Sequence, residues 1–151
     1  MFRKATLDDC PAVYRLICDM ENKQLPYDRF SAIFEKQAES SGYYCLVCEK
    51  DGVIGVMNLR FEEQLHHAER VAEIMECAVD ARYRSQGIGK EMFAQACEIA
   101  RERHCIQIEV ACNQLRADAH RFYLREGMRN YHFKFSKTLW REDTAPNALG
   151  R

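Results

Sequence analysis

Three stretches of this sequence carry side chains able to do chemistry. The first is Arg84-Ser85-Gln86-Gly87-Ile88-Gly89-Lys90, where two glycines open a helical pattern. N–H groups in the first turn of a helix lack intrahelical partners and glycines let a phosphate approach them, so a diphosphate could dock here, with Lys90 adding positive charge. The string has neither the Gly-Lys-Ser/Thr of a P-loop nor the three spaced glycines of a dinucleotide fold. On its own it equally suits a turn joining strand to helix. The second is the carboxylate pair Glu73 and Glu76 inside the apolar run 72–79. A carboxyl beside Ile74 and Met75 is easily raised in pKa, which suits a general base near neutral pH. At regular strand geometry residues three apart face opposite ways, so only one of the two can share a cleft with the glycine loop. Ordinary solvated glutamates are the plain alternative. The third is Tyr123, in the stretch 119–128 that ends on Gly127. A phenol of pKa about 10 is protonated at neutral pH and can donate to a departing thiolate, where the plain alternative is core packing.

The elements that must position these groups follow from periodicity. Residues 2–5 read as a short strand, with Thr6 as a helix N-cap and Asp8 and Asp9 in the first turn. A helix then runs to about Met20 on the stripe Ala12, Val13, Leu16, Ile17 and Met20. Leu25-Pro26 breaks the chain, and helical spacing resumes over 27–37 through Phe30, Ile33 and Phe34. Residues 43–50 and 53–61 read as strands joined at Asp51-Gly52, a strong hairpin signal. A polar stretch, 64–70, precedes a strand at 71–79, and a helix over 87–103 turns Ile88, Met92, Phe93, Ala96, Ile99 and Ala100 inward. A strand at 106–111, a short helix at 117–126 and an alternating strand at 131–139 complete the order. This predicts one mixed α/β domain over 1–140, with a mostly antiparallel twisted sheet of about six to seven strands flanked by about four helices. The polar tail 141–151, with Pro146 and Gly150, is expected to be poorly ordered.

Composition narrows the class. The 151 residues suffice for one domain with a core of its own, and 22 basic against 23 acidic residues leave a formal net charge of -1. No overall attraction to nucleic acid or an anionic membrane follows. No apolar run approaches the roughly 20 residues of a membrane span, and the charged start Phe2-Arg3-Lys4 is unlike a signal peptide, so a cytoplasmic location is expected. Eight irregularly spaced cysteines, such as Cys45, Cys77 and Cys97 in apolar segments, read as reduced thiols. The lone pair Cys45 and Cys48 is weak evidence for zinc, and no metal is expected.

Taken together, the element order, the stretch 73–90 and the stretch Phe122 to Gly127 resemble the GNAT acetyltransferase superfamily over nearly the whole chain. Two further stretches, Gln64-Leu65-His66-His67 and 118–127 with the later His132-Phe133-Lys134-Phe135, look like its aminoalkylphosphonate-acetylating branch. The resemblance implies acetyl-CoA as acyl donor, main-chain pairing of Cys77, Ala78 and Val79 with its pantetheine arm, and a pyrophosphate cradle from Arg84 and Ser85 to Lys90. It implies Glu73 as base and Tyr123 as the group that protonates or hydrogen-bonds the CoA sulfur. Many relatives carry an asparagine seven residues before that tyrosine; here the position is Arg116, and Asn113 lies ten before.

The reaction so implied is direct attack of a small-molecule primary amine on the thioester. At neutral pH roughly one such amine in two thousand is the free base, so a proton acceptor is needed. A phosphonate acceptor would need convergent cations, for which His66, His67, Arg116, His120 and Arg121 are candidates, with Glu76 the further residue at the acceptor site. A protein or peptide N-acetyltransferase and a non-catalytic acyl-CoA sensor are the competing readings. Relatives are often dimers, and the strand bearing Phe133, Phe135 and Leu139 could form a homodimer interface.

Overall fold

Asp9 shows how the first turn of chain is fixed. Its carboxylate accepts from Thr6 N–H at 2.7 Å and from both ends of the Arg3 guanidinium, at 2.7 and 2.9 Å. Arg3 lies on β1 (Phe2–Lys4), so this ion pair ties the sheet edge to the short 3-10 turn Leu7–Asp9 and to α1 (Cys10–Glu21) behind it. The expected apolar stripe is the buried one: Val13, Leu16 and Ile17 are at most a few per cent exposed. Pro11 sits in the first turn of α1, where its missing N–H is not needed. α2 (Tyr27–Ala38) follows and supplies Phe30 and Phe34 to the same core.

The computed structural model describes residues 1–140, and the expectation for the tail 141–151 lies outside the described residues. Residues Met1–Val110 form one unit and a second begins at Ala111. The first unit holds a five-stranded sheet in the order β1, β2 (Tyr43–Glu49), β3 (Val53–Gln64), β4 (Glu69–Val79) and β5 (Ile108–Val110). The first three pairings are antiparallel and the last is parallel. The row Val47, Val56 and Ala78 runs across three strands beneath Val13, Leu16 and Ile17 of α1. α3 (Ile88–Glu102) covers the opposite face with Met92, Phe93, Ala96 and Ala100. Its close approach depends on Gly55, since a Cβ there would stand 3.2 Å from Met92 Sδ. No helix among the described residues is long and apolar enough to cross a membrane.

The second unit contains α4 (Ala117–Arg125), which ends as expected at Gly127, with Met128 N–H donating to Tyr123 O. The mixed α/β class and the mostly antiparallel sheet agree with the sequence, and the strand count needs correcting. Residues 131–139 form no strand among the described residues, so the sheet has five strands rather than six or seven. Alternation specifies which side chains share a face, but a strand also needs an edge to pair with.

Candidate active site

β4 contains an irregularity that changes the reading of its two carboxylates. Asn58 of β3 is opposite Glu76 while the next residue, Leu59, is opposite Ile74. Met75 is therefore an extra residue, a bulge, and alternation restarts after it. Glu73 is opposite Arg60 and Glu76 is opposite Asn58, two positions apart on β3, so both carboxylates stand on one face. The expectation that only one could do so fails because it assumed a regular strand. Hydrogen bonds agree with the register: Arg60 Nη2 donates to Glu73 Oε2 at 2.9 Å, and Asn58 Nδ2 donates to Glu76 Oε2 at 2.9 Å.

This is the face that carries α1 and α2. From the apolar row Val47, Val56 and Ala78 it continues as Cys45, Asn58 and Glu76, then as Tyr43, Arg60 and Glu73. Asn58 also donates to Gln37 Oε1 of α2 at 3.0 Å, so a chain of amides fixes the Glu76 carboxylate from the helix side. Burial pushes the Glu76 carboxyl above its ordinary range, with the charge of Glu21 adding to the effect and the Asn58 hydrogen bond opposing it. Such a group takes up a proton more readily than a solvated carboxylate. Arg60 Nη2 holds a second carboxylate, Glu62, at 3.1 Å, and Arg60 Nε is buried without a partner among the described residues.

The bulge follows directly on the last residue that pairs with β5. That ladder joins Ala72, Glu73 and Ile74 to Ile108, Glu109 and Val110, and β4 runs on to Val79. Past Met75, Cys77, Ala78 and Val79 keep register with Met57, Val56 and Gly55 of β3. The chain then makes a 3-10 turn, Ala81–Tyr83, capped by Asp80, whose carboxylate accepts from Arg82 N–H at 2.9 Å and pairs with its guanidinium. Arg82 holds the Asp80 carboxyl down at about 2. Arg84 Nε donates to Val79 O at 3.3 Å and Gln86 Nε2 to Arg82 O at 3.4 Å, which folds the loop back on itself. Ser85 and Gly87 have φ of 63° and 83°, and α3 starts at Ile88. A Cβ built at Gly87 would meet nothing within 4 Å, so there is open space beside this residue at the start of α3, whose first-turn N–H groups have no intrahelical partner.

The remaining candidates are borne by other elements. His66 and His67 lie in the β3–β4 turn, with ring centroids 4.3 Å apart and His67 Nδ1 2.6 Å from Gln64 Oε1. From Glu69 to Glu73 alone is roughly 13 Å of strand, so they are remote from the carboxylates. In the second unit Tyr123 is 8% exposed and meets Phe122 edge-on at 5.1 Å. Arg116 is the residue before α4, His120 Nε2 lies 2.8 Å from Asn113 O, and Arg121 is paired with Asp118. Asn113 uses its side chain to accept from Leu115 N–H at 2.8 Å. The eight cysteines are free thiols; Cys45 and Cys48 point to opposite faces of β2, and burial pushes Cys45 up to about 12. Sequence reasoning missed Asn58, Arg60 and Gln37, although two polar residues at alternate positions inside the apolar run 53–61 were a usable signal.

A model of the acetyltransferase (GNAT) family matches residues 10–128. Aminoalkylphosphonate N-acetyltransferase of Salmonella typhimurium is 38% identical over 138 residues, covering 91% of this chain and 90% of that one. Among solved structures, a transcriptional regulator from Bacillus halodurans C-125 superposes with a TM-score of 0.85 at 23% identity, covering 92% of this chain and 99% of that one. Glucosamine-6-phosphate N-acetyltransferase from Arabidopsis thaliana gives 0.77 at 18%, covering 92% and 97%. At these identities the structural matches speak for the fold alone.

Proposed function

Given that this chain belongs to the acetyltransferase (GNAT) family, we propose that it transfers an acetyl group from acetyl-CoA to the primary amine of a small anionic molecule, an aminoalkylphosphonate or a close analogue. It is an acetyltransferase; the donor, the acceptor and the residue roles are the proposed part. The observation that carries the proposal is the pair Glu73 and Glu76 brought onto one face by the Met75 bulge, at the strand that leads into the open Gly87 loop. The relative from Salmonella supports the acceptor class.

In this reading Ser85, Gln86, Gly87, Ile88, Gly89 and Lys90, with Arg84, hold the diphosphate, and main-chain groups of Cys77, Ala78 and Val79 align the arm that bears the thioester. The donor supplies an activated acetyl group, so the protein has chiefly to orient a free amine against it. Glu73, directly or through one water, accepts the ammonium proton, Glu76 holds the ammonium beforehand, and a backbone N–H near Cys77 or Ala78 holds the oxyanion. Tyr123 donates to the departing sulfur. One observation favours an exchange of the two carboxylate roles: Glu76 is the one whose proton affinity burial raises, while Glu73 is held by Arg60. Association of two copies through the alternating segment 131–139 is part of the same proposal.

Thiol release from acetyl-CoA, followed with aminoalkylphosphonates, polyamines, amino acids, aminoglycosides and a peptide with a free N-terminus, tests the assignment. Aminoalkylphosphonates are expected to have the highest kcat/KM. Turnover of the peptide alone would make the chain a protein acetyltransferase, and CoA binding with no turnover would make it a sensor. Glu73→Gln and Glu76→Gln assign the base, because the true base variant loses rate most steeply at the acid end of the pH profile.

A further inference from the structure

Resting on the acceptor proposed above, we propose that Arg60 is the residue that reads the acceptor's anionic group, and so sets the preference for anionic over neutral amines. Arg60 stands in the same row as Glu73 and one row from Asn58 and Glu76, on the same face of the sheet. Rows two residues apart on a strand are separated by roughly 7 Å. A molecule whose amine and anion lie one or two carbons apart can therefore touch Arg60 with one end and a carboxylate with the other.

The guanidinium is placed to take an anion without being stripped of support. Both of its ion pairs, to Glu73 at 2.9 Å and Glu62 at 3.1 Å, leave through the single nitrogen Nη2, although a guanidinium offers five N–H donors in a fork that matches phosphonate oxygens in pairs. Nε is buried without a partner among the described residues, so the two ion pairs do not satisfy this guanidinium fully. Of the two carboxylates Glu62 is the more exposed, 46% against 24% for Glu73, and is the one an incoming anion displaces. Glu73 then keeps its place beside the amine.

The other cations borne by the strands of the sheet are otherwise engaged. Arg70 is bound to Glu63 and to Arg103 O, Arg3 to Asp9 and Glu49, and Lys4 lies over the Tyr44 ring. His66 and His67 sit at the far tip of the β3–β4 hairpin. Arg60 is thus the cation that the register itself delivers to the carboxylate rows.

The test compares 2-aminoethylphosphonate with n-propylamine, which keeps the amine and lacks the anion, in the full chain and in Arg60→Gln and Arg60→Lys. Arg60→Gln is expected to raise the ratio of the phosphonate KM to the propylamine KM by about tenfold or more, the scale of a lost charge-assisted hydrogen bond, whereas any effect that passes through Glu73 falls on both amines alike. Arg60→Lys recovers part of the loss, as a point charge without the fork. Separately, methylphosphonate raises the melting temperature of the wild-type chain, relative to chloride at equal ionic strength, and not that of Arg60→Gln. Equal losses on both amines, an unchanged phosphonate KM, or methylphosphonate stabilisation that survives Arg60→Gln would each overturn the assignment. A wild-type chain that does not prefer the phosphonate to propylamine sinks the acceptor reading, and the melting comparison still decides whether Arg60 holds an anion.

Discussion

Glu76 and Asp9 are both carboxylates in largely enclosed places, and their neighbours send them in opposite directions. Glu76 accepts from the Asn58 amide and has no ion pair among the described residues, and burial raises its pKa above the ordinary 4.5. In the pH range just above that value the folded protein binds more protons than the unfolded one, and stability falls as pH rises until the folded pKa is passed. Glu76→Gln removes the desolvated charge and keeps a partner for Asn58. Its melting temperature should exceed that of the wild type at pH 7 and match it at pH 4, while acetyl transfer drops; equal melting temperatures at pH 7 would show that the site relaxes around the charge. Asp9 is pulled down by its bond to Arg3, against the effect of burial, and by Thr6 N–H. Its contribution is present above the ordinary 3.8 and is lost as pH falls through the lower folded value. Asp9→Asn should cost about 1–2 kcal/mol in a urea melt at pH 7, since Arg3 and Thr6 N–H both lose a charged acceptor, and the deficit should vanish in strong acid.

At the scale of elements the Met75 bulge does two things that deletion can separate. With the residue Met75 itself deleted, the carboxylates would still share a face, because Glu73 and Glu76 would then be two apart in a regular ladder opposite Arg60 and Asn58. What would change is the bend of β4 just after its last β5 pair, Ile74 with Val110. Deleting Met75 should therefore leave a folded chain whose CoA affinity, by calorimetry, falls at least about tenfold; unchanged affinity would remove the bend from the donor site. Gly55→Ala tests the other face, where the new methyl meets Met92 Sδ at 3.2 Å and Cε at 3.3 Å inside a closed core. A loss of about 1–2 kcal/mol in thermal or urea unfolding is expected, and Met92→Leu in the same background should change it if that contact is the cause. The sequence made the helices and the Asp51-Gly52 hairpin legible because capping, periodicity and turn chemistry are local. It could not reveal the bulge, since an extra residue exists only relative to the partner strand. Hence Glu73 and Glu76 were found by type and misassigned by face, and Arg60 and Asn58, which their register selects, were passed over.

At the scale of the whole molecule the chain presents an alternating apolar row outside any ladder. Phe133 and Phe135 are 79% and 91% exposed, Tyr131 and Leu139 are also exposed, and His132, Lys134 and Ser136 stand between them. Four large exposed side chains at alternate positions of a short segment, with Lys137 between the last two, exceed the scattered exposure ordinary for a surface, and an alternating segment outside any ladder is what strand addition between chains requires. The segment lies beyond the family match, which ends at residue 128. A net charge of -1 offers little repulsion between copies. Sedimentation equilibrium of the full chain should therefore show a dimer at micromolar concentration. The double variant Phe133→Ser with Phe135→Ser should weaken it by about 3 kcal/mol, a hundredfold or more in dissociation constant. Lys134→Ser, on the alternate side, should leave it intact. A wild-type monomer at all concentrations would reject the interface, and equal weakening by Lys134→Ser would show that the segment associates through its backbone or charge and not through the aromatic row.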